Sequence, residues 1–304
     1  MHIRILGSAA GGRFPQWNCG CGNCVAVRTN TFPGKSRTQA QLALSADGST
    51  WFLAGASPDL AFQIESSPAL HPRALRDSPI AGVVLGSCDL DHVLGLLLLR
   101  ELQPLRVYAA TSILRILREE NSMFGMLSRV ERQVVWTAMY AGAAFPLLTA
   151  DGADSGLRCE VCYLSGRYPK YVKTNTATLA PDEATAALFF ESSAGKRVAY
   201  VPAVGSLSDA LLASIRQADL LLFDGTFWSD DELIRVQGSG ETAHEMGHIP
   251  VEESLRLLKN IEVGRKMFIH LNNTNPILNE ASAEHRAVRQ AGWEVAEDNW
   301  QVEL

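Results

Sequence analysis

The sequence predicts an α/β fold, one domain spanning 1–304 with strands at its centre and helices covering them. Three observations predict it. Short β-branched or aromatic runs bounded by glycine, proline and serine alternate with longer amphipathic stretches, as expected when strands and helices interleave. No stretch is rich enough in proline or serine to be a linker, and no internal repeat occurs. A chain of 304 residues that is 47% hydrophobic and 20% charged has material for one large core.

In chain order, the run from Met1 to Leu6 is stopped at once by Gly7, so 2–6 reads as a strand and not as the longer apolar region of a secretory signal. A cysteine knuckle follows at 19–24, then strands at 41–45, 50–54 and 82–85. A polar box at 86–92 leads into a helix over 92–102, followed by a strand at 106–109 and a helix at 112–121. Strands at 133–136, 157–164, 187–191 and 197–202 precede a helix at 208–218 and a strand at 220–224. The chain closes with a helix at 251–260, a strand at 266–270, a helix at 281–291 stopped by Gly292, and a strand at 293–296.

Mean hydropathy of +0.02 and a net charge of −6 describe an ordinary globular chain without a basic field for phosphate backbones. Nucleic acid is therefore excluded as a partner in favour of small molecules or peptides. The longest strongly apolar run, 93–99 with Gly95 inside it, is far short of the roughly 20 residues that cross a bilayer. The expected location is the cytoplasm, where six cysteines are better candidates for metal ligands or small buried residues than for disulfides.

Cys19-Gly20-Cys21-Gly22-Asn23-Cys24 places three thiols within six residues on a glycine-loosened loop. Such a knuckle can turn three sulfurs toward one tetrahedral ion while a fourth ligand arrives from elsewhere. Zinc in a structural role is the reading; an iron–sulfur fragment and free buried thiols are the alternatives. Cys159 and Cys162, three apart on a strand, point to opposite faces and read as core residues.

In Gly86-Ser87-Cys88-Asp89-Leu90-Asp91-His92, polar side chains at alternate positions of an extended turn share one side, so Ser87, Asp89 and Asp91 converge while His92 opens the helix. A plainer reading makes Asp91 a helix cap and Asp89 a turn residue. Asp224 and His270 tilt the balance, because each sits where an apolar strand ends, and His248 stands just ahead of a helix.

These residues, with Ala54-Gly55-Ala56-Ser57-Pro58-Asp59, Gly247-His248 and the run from His270 to Pro276, resemble the PqqB family, the metallo-β-lactamase-fold proteins of pyrroloquinoline quinone (PQQ) biosynthesis. The resemblance covers essentially the whole chain. It implies a four-layer αββα sandwich with a metal pocket at one edge of two packed sheets, and it extends to phosphodiesterases and tRNA-processing hydrolases of the same superfamily. Those hydrolases place His-x-His-x-Asp-His at the box, whereas this chain has Ser87 and Asp89 at the first two histidine positions. Losing two imidazoles disfavours a paired-zinc hydroxide generator. His92, His270 and a carboxylate remain, the set that leaves open positions on non-haem Fe(II).

The family association with iron-dependent hydroxylation of a tyrosine ring points the same way. Expected ligands are Asp91, His92 and His270, with Asp89 or Asp224 as an extra ligand or outer partner and His248 in proton transfer or substrate contact. Asn273, three residues beyond His270, stands where related hydrolases supply a histidine, and is the candidate fourth ligand to the cysteine-site zinc.

His244-Glu245-Met246-Gly247-His248 matches the zincin pattern, but Gly238-Ser239-Gly240, Gly247 and Pro250 argue against the continuous helix that pattern needs. Gly7-Ser8-Ala9-Ala10-Gly11-Gly12 is a turn and no dinucleotide fingerprint, since Phe14-Pro15 precludes the required helix. The loop 166–173, with Arg167, Lys170, Lys173, Tyr168 and Tyr171, reads as a solvated surface loop although it could greet an anionic aromatic substrate. Three functions follow: a hydroxylase of a tyrosine-derived precursor, a metal-dependent hydrolase, and a carrier that transports the finished quinone. Partners are that precursor or PQQ itself and other PQQ biosynthesis proteins, and a homodimer is allowed.

Overall fold

The computed structural model describes residues 1–164, 166–172 and 178–304. Among them the strands form two seven-stranded sheets. Contacts group the chain into two compact units, Met1–Leu6 with Gln41–Arg197 and Asn299–Leu304, and Gly7–Ala40 with Val198–Asp298. No helix of the described residues is long and apolar enough to cross a membrane.

The first unit contains β1 (His2–Gly7), β2 (Gln41–Ser45), β3 (Trp51–Ala54), β4 (Ile80–Val84), β5 (Leu105–Ala110), β6 (Val134–Met139) and β14 (Trp300–Glu303), in the order β14-β1-β2-β3-β4-β5-β6. β3 to β6 run parallel. Every residue of β2 and β3 is buried, which is why 42–44 and 51–54 read as continuous apolar runs and not as alternating ones. A second ladder, β7 (Phe145–Leu148), β8 (Asp154–Leu164) and β9 (Thr185–Ser192), is antiparallel.

Sequence reading missed β7, which carries Pro146, and β14. β7 ends its sheet, where a missing backbone donor is tolerated. Cys159 is fully buried on β8, whereas Cys162 on the opposite face is only half-buried, which corrects the reading of both as core.

The second unit contains the parallel strands β10 (Arg197–Val201), β11 (Leu220–Asp224), β12 (Arg265–Ile269) and β13 (Glu294–Val295). Helix α5 (Asp209–Ile215) follows β10, capped where Ser208 accepts from the Leu211 amide at 3.2 Å. α6 (Glu232–Gln237) and α7 (Val251–Leu257) lie between β11 and β12; α8 (Ala283–Gln290), capped by Ser282, lies between β12 and β13. Gly292 takes φ of 76° just past α8, as a helix stop requires.

Three local expectations are corrected. The helix expected over 92–102 is α3 (Leu90–Val93) followed by a 3-10 helix, Leu94–Leu99, so His92 is its third residue and does not open it. The cause is the segment after β3: the Ala56 amide donates to the His92 carbonyl at 2.7 Å, and the Gly95 amide donates to the Ala56 carbonyl at 2.8 Å, diverting both groups from the helical ladder. The helix expected over 112–121 is α4 (Thr111–Arg115) running into a π turn, Ile116–Glu120. The cysteine loop is half helix, α1 (Gly22–Arg28), and Cys24 sits in its first turn. α2 (Leu60–Glu65) and α6 were also unforeseen; each has six residues, too few to show a helical period.

Candidate metal centres

In the second unit Cys19, Cys21 and Cys24 bring their sulfurs within 4.8 Å of one another. Local structure causes this. Cys21 ends the loop as the residue before α1, and α1 turns Cys24 back beneath it, where the Gln16 amide donates to its sulfur at 3.4 Å. Arg28 donates to the carbonyls of Cys19 and Gln16, holding the loop over the helix. The Asn273 side-chain amide approaches all three sulfurs, at 3.2, 3.6 and 3.4 Å. One amide nitrogen with two hydrogens cannot serve three acceptors equally, so Asn273 lies where the three sulfurs point. Burial, opposed by the Gln16 amide and reinforced by Cys21 and Cys19, pushes the Cys24 thiol up to about 11, a position a bound cation reverses. Three clustered thiols fit a soft or borderline metal such as zinc.

In the first unit β4 delivers the box. Ser87 bridges to Thr185 of β9, and the Gly86 carbonyl accepts from the Ala186 amide at 2.7 Å, so the loop is pinned before it reaches α3. Ser87 Oγ stands 2.9 Å from Asp89 Oδ2 and 2.8 Å from His92 Nδ1. Asp91 Oδ2 lies 3.8 Å from His92 Nε2, and His92 is buried. Tyr171, expected on a solvated loop, instead packs against the core and donates to the Cys88 carbonyl next to this box. Arg167 and Lys170 are exposed, and Lys173 lies outside the described residues.

In the second unit β11 and β12 end side by side at Asp224 and Ile269, and the chain turns at His270 with φ of 60°, a left-handed backbone uncommon for any residue but glycine. Gly225 makes the turn after β11 feasible: a Cβ there would stand 2.7 Å from Leu271 Cδ2 and 2.8 Å from Phe268 Cβ. Asp224, His248 and His270 each offer an atom within 4.8 Å of the others. Asp224 Oδ2 accepts from His248 Nδ1 at 2.8 Å and from the Val204 amide at 3.0 Å. Its Oδ1 accepts from the Thr226 amide at 3.0 Å and hydroxyl at 2.7 Å, and that hydroxyl is 2.9 Å from His270 Nδ1.

Burial alone would raise the Asp224 carboxyl, but His248, His270 and Thr226 together hold it below the usual range. The His248 and His270 rings stack with centroids 5.8 Å apart. Both Asp224 oxygens are thus engaged by hydrogen bonds, so the carboxylate orients imidazoles of a kind that suits a divalent cation. His244 turns away into an exposed pair with Glu253 at 2.9 Å and its segment is a turn, so no zincin site forms.

The beta-lactamase superfamily domain matches residues 50–271. Coenzyme PQQ synthesis protein B of Methylobacterium sp. (strain 4-46) is 39% identical over all of both chains. The chain belongs to the PqqB family. The crystal structure of Zn(2+)-bound PqqB from Methylobacterium extorquens matches with a TM-score of 0.91 at 39% identity, each chain fully covered, so the fold is that of the metallo-β-lactamases. A diphosphatase of the PhnP family shares the fold at 18% identity and a TM-score of 0.69, covering all of this chain and 97% of its own.

Within this PqqB-family chain, sequence reasoning missed Thr226 and Asn275. Thr226 looks like an ordinary strand-end residue, yet it joins Asp224 to His270. Asn275 Nδ2 donates to the carbonyls of Gly225 and Thr226 at 2.9 and 3.3 Å, bracing that turn from 50 and 49 residues away. Its asparagine-rich run was the available signal, since such residues supply backbone bonds in tight turns.

Proposed function

We propose that this chain is an iron- and oxygen-dependent hydroxylase acting on the tyrosine ring of a peptide-derived precursor in PQQ synthesis. The observation that carries the reading is the use made of Ser87 and Asp89. Where hydrolases of this fold need imidazoles, these two side chains bond to each other and Ser87 bonds to His92 Nδ1, so the donors left in the loop are Asp91 and His92. Together with His270 they make two imidazoles and one carboxylate, a set that suits a single Fe(II) with open positions. Iron held there would supply open positions for dioxygen beside the ring, and with two electrons from an external reductant one oxygen atom would go to the ring and the other to water.

The remaining work belongs to the chain. His248, its Nδ1 held by Asp224, presents a basic Nε2 to take or return the substrate's phenolic proton. Burial of His92, His248 and His270 limits bulk water around the reacting groups. Cys19, Cys21, Cys24 and Asn273 hold a structural zinc, since three thiolates and one further ligand leave no position for substrate. A single domain over 1–304, cytoplasmic and working beside other PQQ biosynthesis proteins, goes with this reading; the superfamily match drawing on both contact units supports it.

Protein prepared without oxygen is expected to carry one zinc that chelators remove poorly and one labile Fe(II), and to consume oxygen with a tyrosine-containing precursor. His92→Ala should lose the iron and the turnover while keeping the zinc. Undiminished iron and turnover in that variant would remove His92 from the ligands, and stoichiometric quinone binding without turnover in the parent protein would replace the hydroxylase with a carrier.

A further inference from the structure

Two imidazoles of the candidate site are tied to carboxylates through an intervening hydroxyl, and the two ties are alike. In the first unit His92 Nδ1, Ser87 Oγ and Asp89 Oδ2 are linked at 2.8 and 2.9 Å. In the second, His270 Nδ1, Thr226 Oγ1 and Asp224 Oδ1 are linked at 2.9 and 2.7 Å. A hydroxyl has one proton to donate, and an ionised carboxylate can only accept. The proton of each hydroxyl therefore points at its aspartate, and each hydroxyl oxygen must accept from the imidazole. That requires the ring proton on Nδ1 and places the basic lone pair on Nε2.

We propose that Asp89–Ser87 and Asp224–Thr226 are matched relays that fix the tautomer and aim of His92 and His270, making Ser87 and Thr226 positioning residues of the metal site. The inference rests on the reading that these imidazoles are ligands.

Each hydroxyl is itself held in place. Ser87 Oγ also accepts from the Asp89 amide at 3.2 Å, so with His92 it accepts twice and donates once, the full complement of a hydroxyl. The Thr226 carbonyl accepts from the Asn272 amide at 3.0 Å and from Asn275, fixing the residue from its other side. Asp224 receives four hydrogen bonds and also sets the tautomer of His248 directly, so one carboxylate orients two rings and acts outside the ligand set. The left-handed backbone of His270 is the kind of conformation that persists where surrounding bonds over-determine it, and the Thr226 tie is one of them.

Long-range 15N–1H spectra of the full chain, labelled at histidine, with zinc retained and labile iron removed, read each tautomer. Both rings are expected to carry the proton on Nδ1. Thr226→Val should release His270 alone and Ser87→Ala should release His92 alone, each lowering Fe(II) affinity about 10–100-fold. Thr226→Ser and Ser87→Thr should restore both properties, which a loss of folding would not. An Nε2–H tautomer in the parent protein, or tautomers unmoved in both variants, would overturn the relays. Released tautomers with unchanged Fe(II) affinity would uphold the relays and instead overturn the ligand reading.

Discussion

Glu232 opens α6 with its carboxyl buried beneath Thr274. Thr274 Oγ1 donates to one oxygen and the Trp228 amide donates to the other at 2.6 Å. Burial, only partly offset by these bonds, pushes the group up to about 7 from an ordinary 4.5. The fold thus favours the neutral form. Its contribution is fully present below about 4.5 and is lost as pH rises through about 7, a change on the order of 3 kcal/mol at most. Denaturant midpoints are expected to fall between pH 5 and 8, and Glu232→Gln should flatten that component of the slope. An identical pH profile in the variant would mean that Glu232 is charged in the fold. Asp224 acts in the opposite sense, because its depressed carboxyl stabilises above its unfolded value and loses that contribution as pH falls through its folded one.

At the scale of elements, the position of His92 depends on a backbone crossing. The segment after β3 runs so close to the start of the 3-10 helix that a Cβ on Gly95 would sit 2.3 Å from the Ser57 carbonyl oxygen and 2.7 Å from the Ala56 carbonyl carbon. Ser57 cannot retreat easily, since its amide donates to Gln41 and its hydroxyl to Gln63, both buried. Gly95→Ala is therefore expected to cost about 1–3 kcal/mol or more, and to weaken iron binding through the displaced His92 carbonyl. Gly125→Ala, with open space around it, serves as the control. Equal denaturation midpoints for the two variants would show that the crossing is looser than these distances. This crossing explains what the Ala54-Gly55-Ala56-Ser57 segment does: it shapes the helix that carries a ligand and contributes no donor of its own.

At the scale of the molecule, the cysteine group ties residues about 250 positions apart, from the knuckle to Asn273, three residues beyond His270. A metal there ties together two segments of the second unit that are far apart in the chain, and binding to the folded state alone adds stability by mass action. Stripping the tightly held zinc, or Cys21→Ser, is expected to lower Tm by at least about 5 °C, at 2–4 °C for each kcal/mol lost in a chain of this size. It should also weaken iron retention, because Asn273 and His270 share one turn. An unchanged Tm after complete zinc loss would show that the knuckle does not brace the fold.

By itself, the amino-acid sequence determined the apolar strands, the helices near 208–218 and 281–291 with the stop at Gly292, the cysteine cluster and the box from Ser87 to His92. All of these are local: burial on both faces writes continuous apolar runs, caps sit within a turn of what they cap, and the three cysteines span six positions. Tertiary structure alone decided that Ser87 and Thr226 serve imidazoles, that Asp224 is saturated by its neighbours, and that helices 92–102 and 112–121 change type partway. The reason is physical. For Thr226 and Asp224 those outcomes depend on bonds between groups 20 to 44 positions apart, and for helix 92–102 on one backbone crossing another; Ser87 lies only five positions from His92, but no periodicity within a window of the chain records a hydroxyl turned onto a ring.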